Sequence, residues 1–530
     1  MSYDQHESQR INLETASLGI ELGSTRIKAV LIGADHSVLA SGAHDWENRL
    51  EGRYWTYRLE DALAGIQDSI QILGRQVHEK FGVKLTTVGA IGVSAMMHGY
   101  LPFNGEGKLL APFRTWRNTT TGEAAKQLTE LFQYNVPQRW SIAHLYQAML
   151  NGEAHVGEIR FLTTLAGYIH WQLTGQKVLG VGDASGMMPL GGEPPHYDAG
   201  MLRKFATLSS AYDWKLEELL PEIRMAGEQA GTLTESGAKL LDPTGTLRAG
   251  IPMCPPEGDA GTGMVATNSV RPRTGNVSAG TSVFAMIVLE KALSKVYEEI
   301  DMVATPAGDA VAMVHCNTCT TDLDAWVKML GEMVQASGTT ITKPQLYDIF
   351  YEKALEGEAD CGGLMNINYY SGEPITGVSG GRPLFLRKPD ATFTLANFAR
   401  AQLYSAIATL KLGMDILRNN ESVQLDSLLG HGGLFKTPVV GQKILADALN
   451  TPVSVMETAG EGGPWGMALL AQYMRRKNGQ SLAEYLADEV FAGAKGRKQL
   501  PDAEDAAGFE RFIANYLRAL AAEKAAVSAF

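Results

Sequence analysis

Two short runs place a glycine before two hydroxyl residues: Gly23-Ser24-Thr25 near the start of the chain and Gly280-Thr281-Ser282 about half a chain later. A tight turn of this composition presents backbone N–H groups and side-chain donors to one point, a geometry suited to phosphate oxygens. Either turn alone reads first as an ordinary hairpin connection. As a pair, one per half of the chain, they are placed to grip a polyphosphate from opposite sides. Glu21 stands two residues before Gly23. A carboxylate beside phosphate donors is repulsive unless a cation lies between them, so Glu21 points to Mg²⁺.

Two other glycine signals belong to different enzyme classes and lack the context those classes need. Gly261-Thr-Gly263-Met-Val-Ala266 has dinucleotide-binding spacing, but Pro252, Pro255 and Pro256 occupy the place of the required buried strand. Gly377-Val-Ser379-Gly-Gly381 has nucleophile-elbow spacing, but Arg382-Pro383 stands where a helix must begin, so the stretch reads as a flexible loop. The absence of Gly-x-x-x-x-Gly-Lys-Ser/Thr excludes a P-loop enzyme. Cys316 and Cys319 form one Cys-x-x-Cys without the second pair that zinc needs, and read as structural.

Such residues need a scaffold, and the hydropathy pattern supplies one. Leu18 to Ile32 is strand-like on both sides of the Gly23 turn, a hairpin pattern. Leu63, Ile66, Ile70, Leu73 and Val77 recur at helical spacing and predict a helix over Glu60 to Phe81. Val88 to Ser94 returns to strand, and Phe161 to Leu173 reads as a buried helix stopped by Gly175. The segment from Gly275 through Gly280-Thr281-Ser282 to Val288 repeats the opening hairpin, which is the trace of a duplicated domain. A long helix from Leu395 to Leu417, a strand from Pro452 to Glu457 and helices over Pro464 to Met474 and Asp502 to Ala526 complete the second half. Strands alternating with helices make an α/β layer architecture. Arg271-Pro272-Arg273 interrupts the apolar pattern and sets two lobes, 17–269 and 270–528, with a ligand cleft expected between them.

Composition bounds the rest. The 530 residues are 45% hydrophobic and include 57 glycines, which excludes disordered and fibrous classes and disfavours an all-helical fold. A formal charge of −12 builds in no attraction to nucleic acid or anionic membranes, so any anion must be held locally. The longest uncharged apolar run, Val88 to Phe103, is broken by Gly, Ser, His and Pro, so no membrane span is expected. Four cysteines and an N-terminal stretch without an apolar signal core point to a reducing cytoplasm.

Taken in order, these segments resemble the FGGY family of carbohydrate kinases, within the group sharing the actin, hexokinase and Hsp70 fold, over roughly Leu18 to Met474. Gly19-Ile-Glu-Leu-Gly-Ser-Thr-Arg-Ile-Lys28 is similar to the first phosphate motif, and Gly275 to Ser282 to the second. Leu429-Gly-His-Gly-Gly433 and Glu461 to Ala468 are similar to the segments that enclose adenosine. Within the family the match is to xylulokinases, through Met97-His98-Gly99, Trp116-Arg-Asn118, Gly182-Asp-Ala-Ser-Gly186 and Gly258-Asp259-Ala.

The resemblance implies two duplicated actin-like, ribonuclease H-like lobes and ATP-dependent phosphorylation of a terminal hydroxyl of a ketose in the cleft, with a ketopentose such as xylulose as the first expectation. Asp259 takes the position of the catalytic base, which accepts the hydroxyl proton while positioning and charge neutralisation do most of the work. Glu21 and Asp259 would serve Mg²⁺. Gly23, Ser24, Thr25, Lys28, Gly280, Thr281, Ser282, Gly432, Gly433 and Gly463 would face ATP, and Met97, His98, Trp116, Asn118 and Asp259 the sugar. Departures cluster at the sugar side. Ala95-Met96 replaces the usual Gly-Gln, Tyr100 follows the Met-His-Gly, Ala260 stands where some relatives carry Asn, and Glu21 replaces the usual Asp. Another ketopentose, another epimer or a related polyol therefore stays open. The alternative from another class is an actin-like ATPase or sugar-sensing regulator, although the acidic N-terminal segment has neither the length nor the charge of a DNA-binding helix pair. The expected partner is a small sugar, with no nucleic acid or membrane. The Ala-rich C-terminal helix is expected to pack on its own lobe or to form a homodimer.

Overall fold

The computed structural model describes residues 11–456, 462–476, 478–494 and 496–529; the N-terminal decapeptide, Glu457 and Glu461, named above, lie outside the described residues. The described chain divides into two compact units. One takes the residues up to Val270, Met302–Val311 and those from 462 to Gly493; the other takes Arg271–Asp301, 312–456, Ala494 and the residues from 496 onward.

Five strands form the sheet of the first unit: β1 (Ser17–Leu22), β2 (Arg26–Ile32), β3 (Val38–Asp45), β4 (Ala90–Ala95) and β5 (Glu257–Gly258), in the order β5-β4-β1-β2-β3. β1 and β2 are an antiparallel hairpin, whereas β1 runs parallel to β4 and β4 to β5. Leu18, Ile20 and Leu22 alternate to one face and are fully buried. Helix α1 (Leu59–Phe81) buries Ile66, Ile70, Leu73 and Val77 of the periodic stripe seen in the sequence, with Ala62 buried in place of Leu63, which is only partly covered, and ends on Gly82 in the left-handed conformation.

The stretch expected to be one helix from Phe161 divides. Phe161–Thr163 is a short strand, and helix α2 (Leu165–Thr174) begins only after Thr164, whose hydroxyl accepts the Gly167 N–H. The cap fixes the start, and two consecutive threonines favour the extended chain ahead of it. Helix α3 (Asp259–Ala266) follows β5 directly.

The second sheet has seven strands: β6 (Thr274–Ala279), β7 (Val283–Val288), β8 (Ile300–Ala304), β9 (Ala310–Cys316), β10 (Ser427–His431), β11 (Val453–Met456) and β12 (Gly496–Gln499), in the order β8-β9-β7-β6-β10-β11-β12. Its inner part, β9-β7-β6-β10-β11, repeats the order of the first sheet, with an antiparallel hairpin β6–β7 and parallel pairs β6–β10 and β10–β11. Helices α4 (Leu395–Asp415) and α5 (Val440–Leu449) belong to this unit. Helix α4 is buried nearly all round, as expected of a helix enclosed by other elements.

Helix α6 (Gly463–Arg476) returns to the first unit and lies on the face of β1 opposite Leu18, Ile20 and Leu22. It lies so close that a β-carbon on Gly19 would overlap the Pro464 carbonyl oxygen and the Ala468 nitrogen. The C-terminal helix α7 (Ala503–Ala529) packs within its own unit through Phe509, Phe512 and Tyr516, with the Phe509 ring 4.4 Å from Tyr404. No helix of the described residues is long and apolar enough to cross a membrane.

Candidate active site

The β register builds the site's first row. Glu21 on β1 pairs with Lys28 on β2 and with Ser94 on β4, and Ser94 pairs with Glu257 on β5. Directly paired residues project to one face, so Lys28, Glu21, Ser94 and Glu257 share the face of Gly19, the one that α6 covers. Gly463, the first residue of α6, touches this row: a β-carbon there would collide with Glu21 Oε2. Gly463 is thus brought to Glu21 within one unit.

Asp259 opens α3 two residues after Glu257. It sits at a helix start, not on the loop that the Pro/Gly-rich sequence suggests. Its Oδ1 accepts the Met97 backbone N–H at 3.2 Å. Close by, the Thr164 hydroxyl donates to Asp183 Oδ2 at 2.6 Å, and the Asp183 N–H donates to Glu257 Oε2 at 3.0 Å. Asp183 Oδ1 is buried without a hydrogen-bond partner.

All four carboxyls sit above the usual carboxylate range because burial penalises their charge. Glu21 is pushed up to about 8, with the charge of Asp259 adding to burial and Lys28 opposing it. Glu257 rises to about 8 by burial, with Asp183 adding. Asp183 rises to about 7, burial outweighing the Thr164 bond. Asp259 reaches only about 6 because the N–H groups of Met97 and Ala260 offset part of its burial.

Around Asp259, His98 and Gly99 both have positive φ, 69° and 93°, and His98 is 5% exposed. His98 Nδ1 lies 3.1 Å from the Gly186 carbonyl, which only accepts, so that nitrogen carries the proton. The ring stacks against buried Trp140 at 6.3 Å. Met97 is buried, and Trp116 is half-buried against the core of the first unit. Both N–H groups of Asn118 donate to backbone, to Trp55 O at 2.8 Å and Thr115 O at 3.0 Å, and its oxygen accepts the Trp55 N–H. Asn118 therefore fixes Trp55 and has no donor left for a ligand.

The first turn is tight. The Gly23 N–H donates to Arg26 O, and its carbonyls are taken up by aromatic residues: Trp46 Nε1 donates to Gly23 O at 2.7 Å and the Tyr57 hydroxyl to Ser24 O at 2.5 Å. Thr25 is exposed. In the other unit, the Gly280 N–H donates to Ser282 O, and Gly432, at φ 102°, lies so close to the end of β6 that a β-carbon would meet Ala279 O at 2.5 Å. Gly280, Thr281, Ser282, Gly432 and Gly433 are thus gathered within the second unit, while Glu21, Gly23, Ser24, Thr25, Lys28, Met97, His98, Trp116, Asn118, Asp259 and Gly463 belong to the first.

Sequence reasoning did not single out Asp183 and Glu257. Asp183 lay inside a recognised segment without a role, and Glu257 is brought to the row only by the β4–β5 pairing. Gly261 and Gly263 fall inside α3, not in a turn between strand and helix, so they form no dinucleotide fingerprint. The four cysteines are free and buried.

Comparison with known proteins agrees along most of the chain. Residues 16–265 match the N-terminal domain of the FGGY family of carbohydrate kinases, and residues 275–475 match its C-terminal domain. The xylulose kinase of Haemophilus influenzae is 21% identical over 522 residues, covering 94% of this chain and 98% of that one. Among solved structures, a xylulose kinase from Lactobacillus acidophilus superposes with a TM-score of 0.78 at 17% identity, over 95% of this chain and 97% of that one. A gluconate kinase from the same organism gives the same TM-score and identity, over 96% and 98%. The fold is the two-domain, actin-like fold of sugar kinases.

Proposed function

The chain belongs to the FGGY family of carbohydrate kinases, and on that premise we propose that it transfers the γ-phosphoryl group of ATP to a terminal hydroxyl of a ketose, with a ketopentose such as xylulose the first choice and Asp259 the general base. The setting of Asp259 carries this reading. A carboxylate held at about 6 is ionised at neutral pH yet more basic than an exposed one, so it can take the hydroxyl proton as the phosphoryl group moves. The Met97 N–H fixes its orientation. In this reading His98 and Met97 contact the sugar, Trp116 walls the pocket, and Asn118 supports that wall by holding Trp55.

In this reading Gly23, Ser24, Thr25, Lys28, Gly280, Thr281 and Ser282 bind the phosphates of ATP. Gly432, Gly433 and Gly463 allow backbone to approach the nucleotide. Glu21 and Asp259 suit a hard divalent cation. They offer oxygen donors, they are short of positive charge, and no described group of three or more His, Cys, Asp or Glu would complete a cage, so water and phosphate oxygens would fill the remaining positions. When bound, Mg²⁺ neutralises charge on the phosphates. We place the enzyme in a reducing cytoplasm, which the four free, buried cysteines fit.

The likeness to a gluconate kinase puts aldonates in the test panel beside neutral sugars. The test is ADP release with MgATP against ketoses, aldoses, polyols and aldonates. Turnover stimulated by a ketopentose is expected. ATP hydrolysis indifferent to every sugar would overturn the reading in favour of an actin-like ATPase.

A further inference from the structure

The segment carrying Gly377-Val-Ser379-Gly-Gly381 has no part in the reading above, yet it is built around a buried acid. Glu373 is fully buried, and its backbone exchanges hydrogen bonds with Val378 across a tight turn. Gly372 and Gly381 close the base of that turn: a β-carbon on Gly372 would meet Ser379 O at 2.8 Å, and one on Gly381 would meet Tyr369 O at 2.5 Å. Of the Glu373 carboxyl oxygens, Oε1 is buried without a hydrogen-bond partner and Oε2 is held within the fold. Oε2 accepts the Asn317 N–H at 2.9 Å and the Thr318 hydroxyl at 3.3 Å, while the Asn317 side chain donates to Gly372 O at 2.8 Å.

The residues that follow reach the turn of the second glycine-hydroxyl motif. The Cys319 N–H donates to Thr281 O, and Gly280 O accepts both the Thr320 N–H and, at 2.8 Å, the Thr320 hydroxyl. Asn368 adds a donor to Cys319 O at 2.9 Å. One buried carboxylate thus fixes one end of a four-residue loop, and the other end holds the carbonyls of Gly280 and Thr281. With those carbonyls held and the Gly280 N–H taken by Ser282 O, the N–H groups and hydroxyls of Thr281 and Ser282 are left oriented for an anion.

We infer that Glu373 is a positioning residue for the nucleotide: through Asn317–Thr320 it fixes the Gly280–Ser282 turn in the conformation that receives phosphate oxygens. The inference rests on the reading of that turn as a phosphate turn. Its consequence is selective, because a displaced turn costs affinity for the phosphates and leaves adenosine binding intact.

The experiment measures dissociation constants for MgADP and for adenosine by titration calorimetry in the full chain, with Glu373→Ala, Glu373→Gln, Thr320→Val and Thr281→Ala. Glu373→Ala is expected to weaken MgADP on the order of tenfold while adenosine changes less than about twofold. Glu373→Gln keeps an oxygen that accepts both donors and is expected to stay near the parent. Should Glu373→Ala fail to fold, Thr320→Val decides, since it removes the hydroxyl bond to Gly280 O at the far end of the same loop; a selective loss for MgADP is again expected. Equal losses for both ligands, or no loss in a folded variant, would overturn the inference. Thr281→Ala separates the premise: if it leaves MgADP binding unchanged, the phosphate reading of the turn falls and the inference with it. If it weakens MgADP while the Glu373 and Thr320 variants do not, only the inference falls.

Discussion

At the scale of single residues, the case turns on a carboxylate whose basicity is set by its surroundings. Replacing Asp259 by Asn keeps the shape and the Met97 contact but removes the proton acceptor. Asp259→Asn is therefore expected to lower kcat by about 10²–10⁴-fold while the dissociation constant for MgADP stays within about twofold, read by coupled assay and calorimetry. Because Asp259 titrates near 6, protonation should silence it below that value. The kcat/KM profile should fall about tenfold per pH unit below roughly pH 6. A profile flat down to pH 4.5 would mean that a carboxyl of ordinary pKa, or none, accepts the proton. Glu21 and Asp259 were legible in the sequence because each sits in a recognisable local pattern. Glu257 and Asp183 were not: Glu257 joins the row of Glu21 only through β4–β5 pairing, and Asp183, on the short helix Val181–Ser185, meets Glu257 across 74 residues of chain. No local spacing encodes that.

Among the elements, helix α6 governs the geometry of the first unit's acidic row. It lies on β1 at Gly19 and crosses α3 at Gly466, where a β-carbon would overlap the Thr262 carbonyl. Gly19→Ala drives a methyl into α6 backbone and not into a movable side chain, so it is expected to destabilise by about 1–3 kcal/mol in urea unfolding. It should also raise the KM for ATP, because Gly463 at the head of α6 rests on Glu21. A variant as stable as the parent would show that the helix can shift without cost. The same elements mark how far periodicity reaches. Helices α1 and α4 carry apolar residues at regular spacing and were legible to within a few residues. Helix α3 was not, because Asp-Ala-Gly-Thr-Gly gives no periodic signal and α6 packing holds the segment helical. The threonine cap at 164 was equally hidden in an apolar run.

For the whole molecule, buried charge sets how stability depends on pH, and the groups involved pull in opposite directions. His144 is pushed down to about 3, and His170 and His431 to about 4, all by burial. The unfolded chain binds their protons more readily, so stability rises with pH until the imidazoles of the unfolded chain are neutral, somewhat above about pH 6.5. Glu21 and Glu257, at about 8, and Asp183 and Glu373, at about 7, act the other way. Their folded values lie above those of the unfolded chain. The folded state keeps protons that the unfolded state has already released, and stability falls as pH rises from about 4 through these values. Above about pH 6.5 the histidine contribution is complete and the carboxyls alone remain, each worth about 1.4 kcal/mol per pH unit while the folded state still holds its proton. Below about pH 6.5 the three histidines nearly cancel the four carboxyls, so the melting temperature is expected to change little from about pH 4.5 to 6.5 and to decline steeply from there to pH 8, measured by thermal unfolding at constant ionic strength. A melting temperature that keeps climbing to pH 8 would show that these carboxyls are already ionised and compensated in the folded protein. Replacing Asp183 by Asn should flatten the decline, since it removes one buried carboxyl and relieves the repulsion on Glu257. Saturating MgATP should flatten it as well, if the cation supplies the positive charge that Glu21 and Asp259 lack.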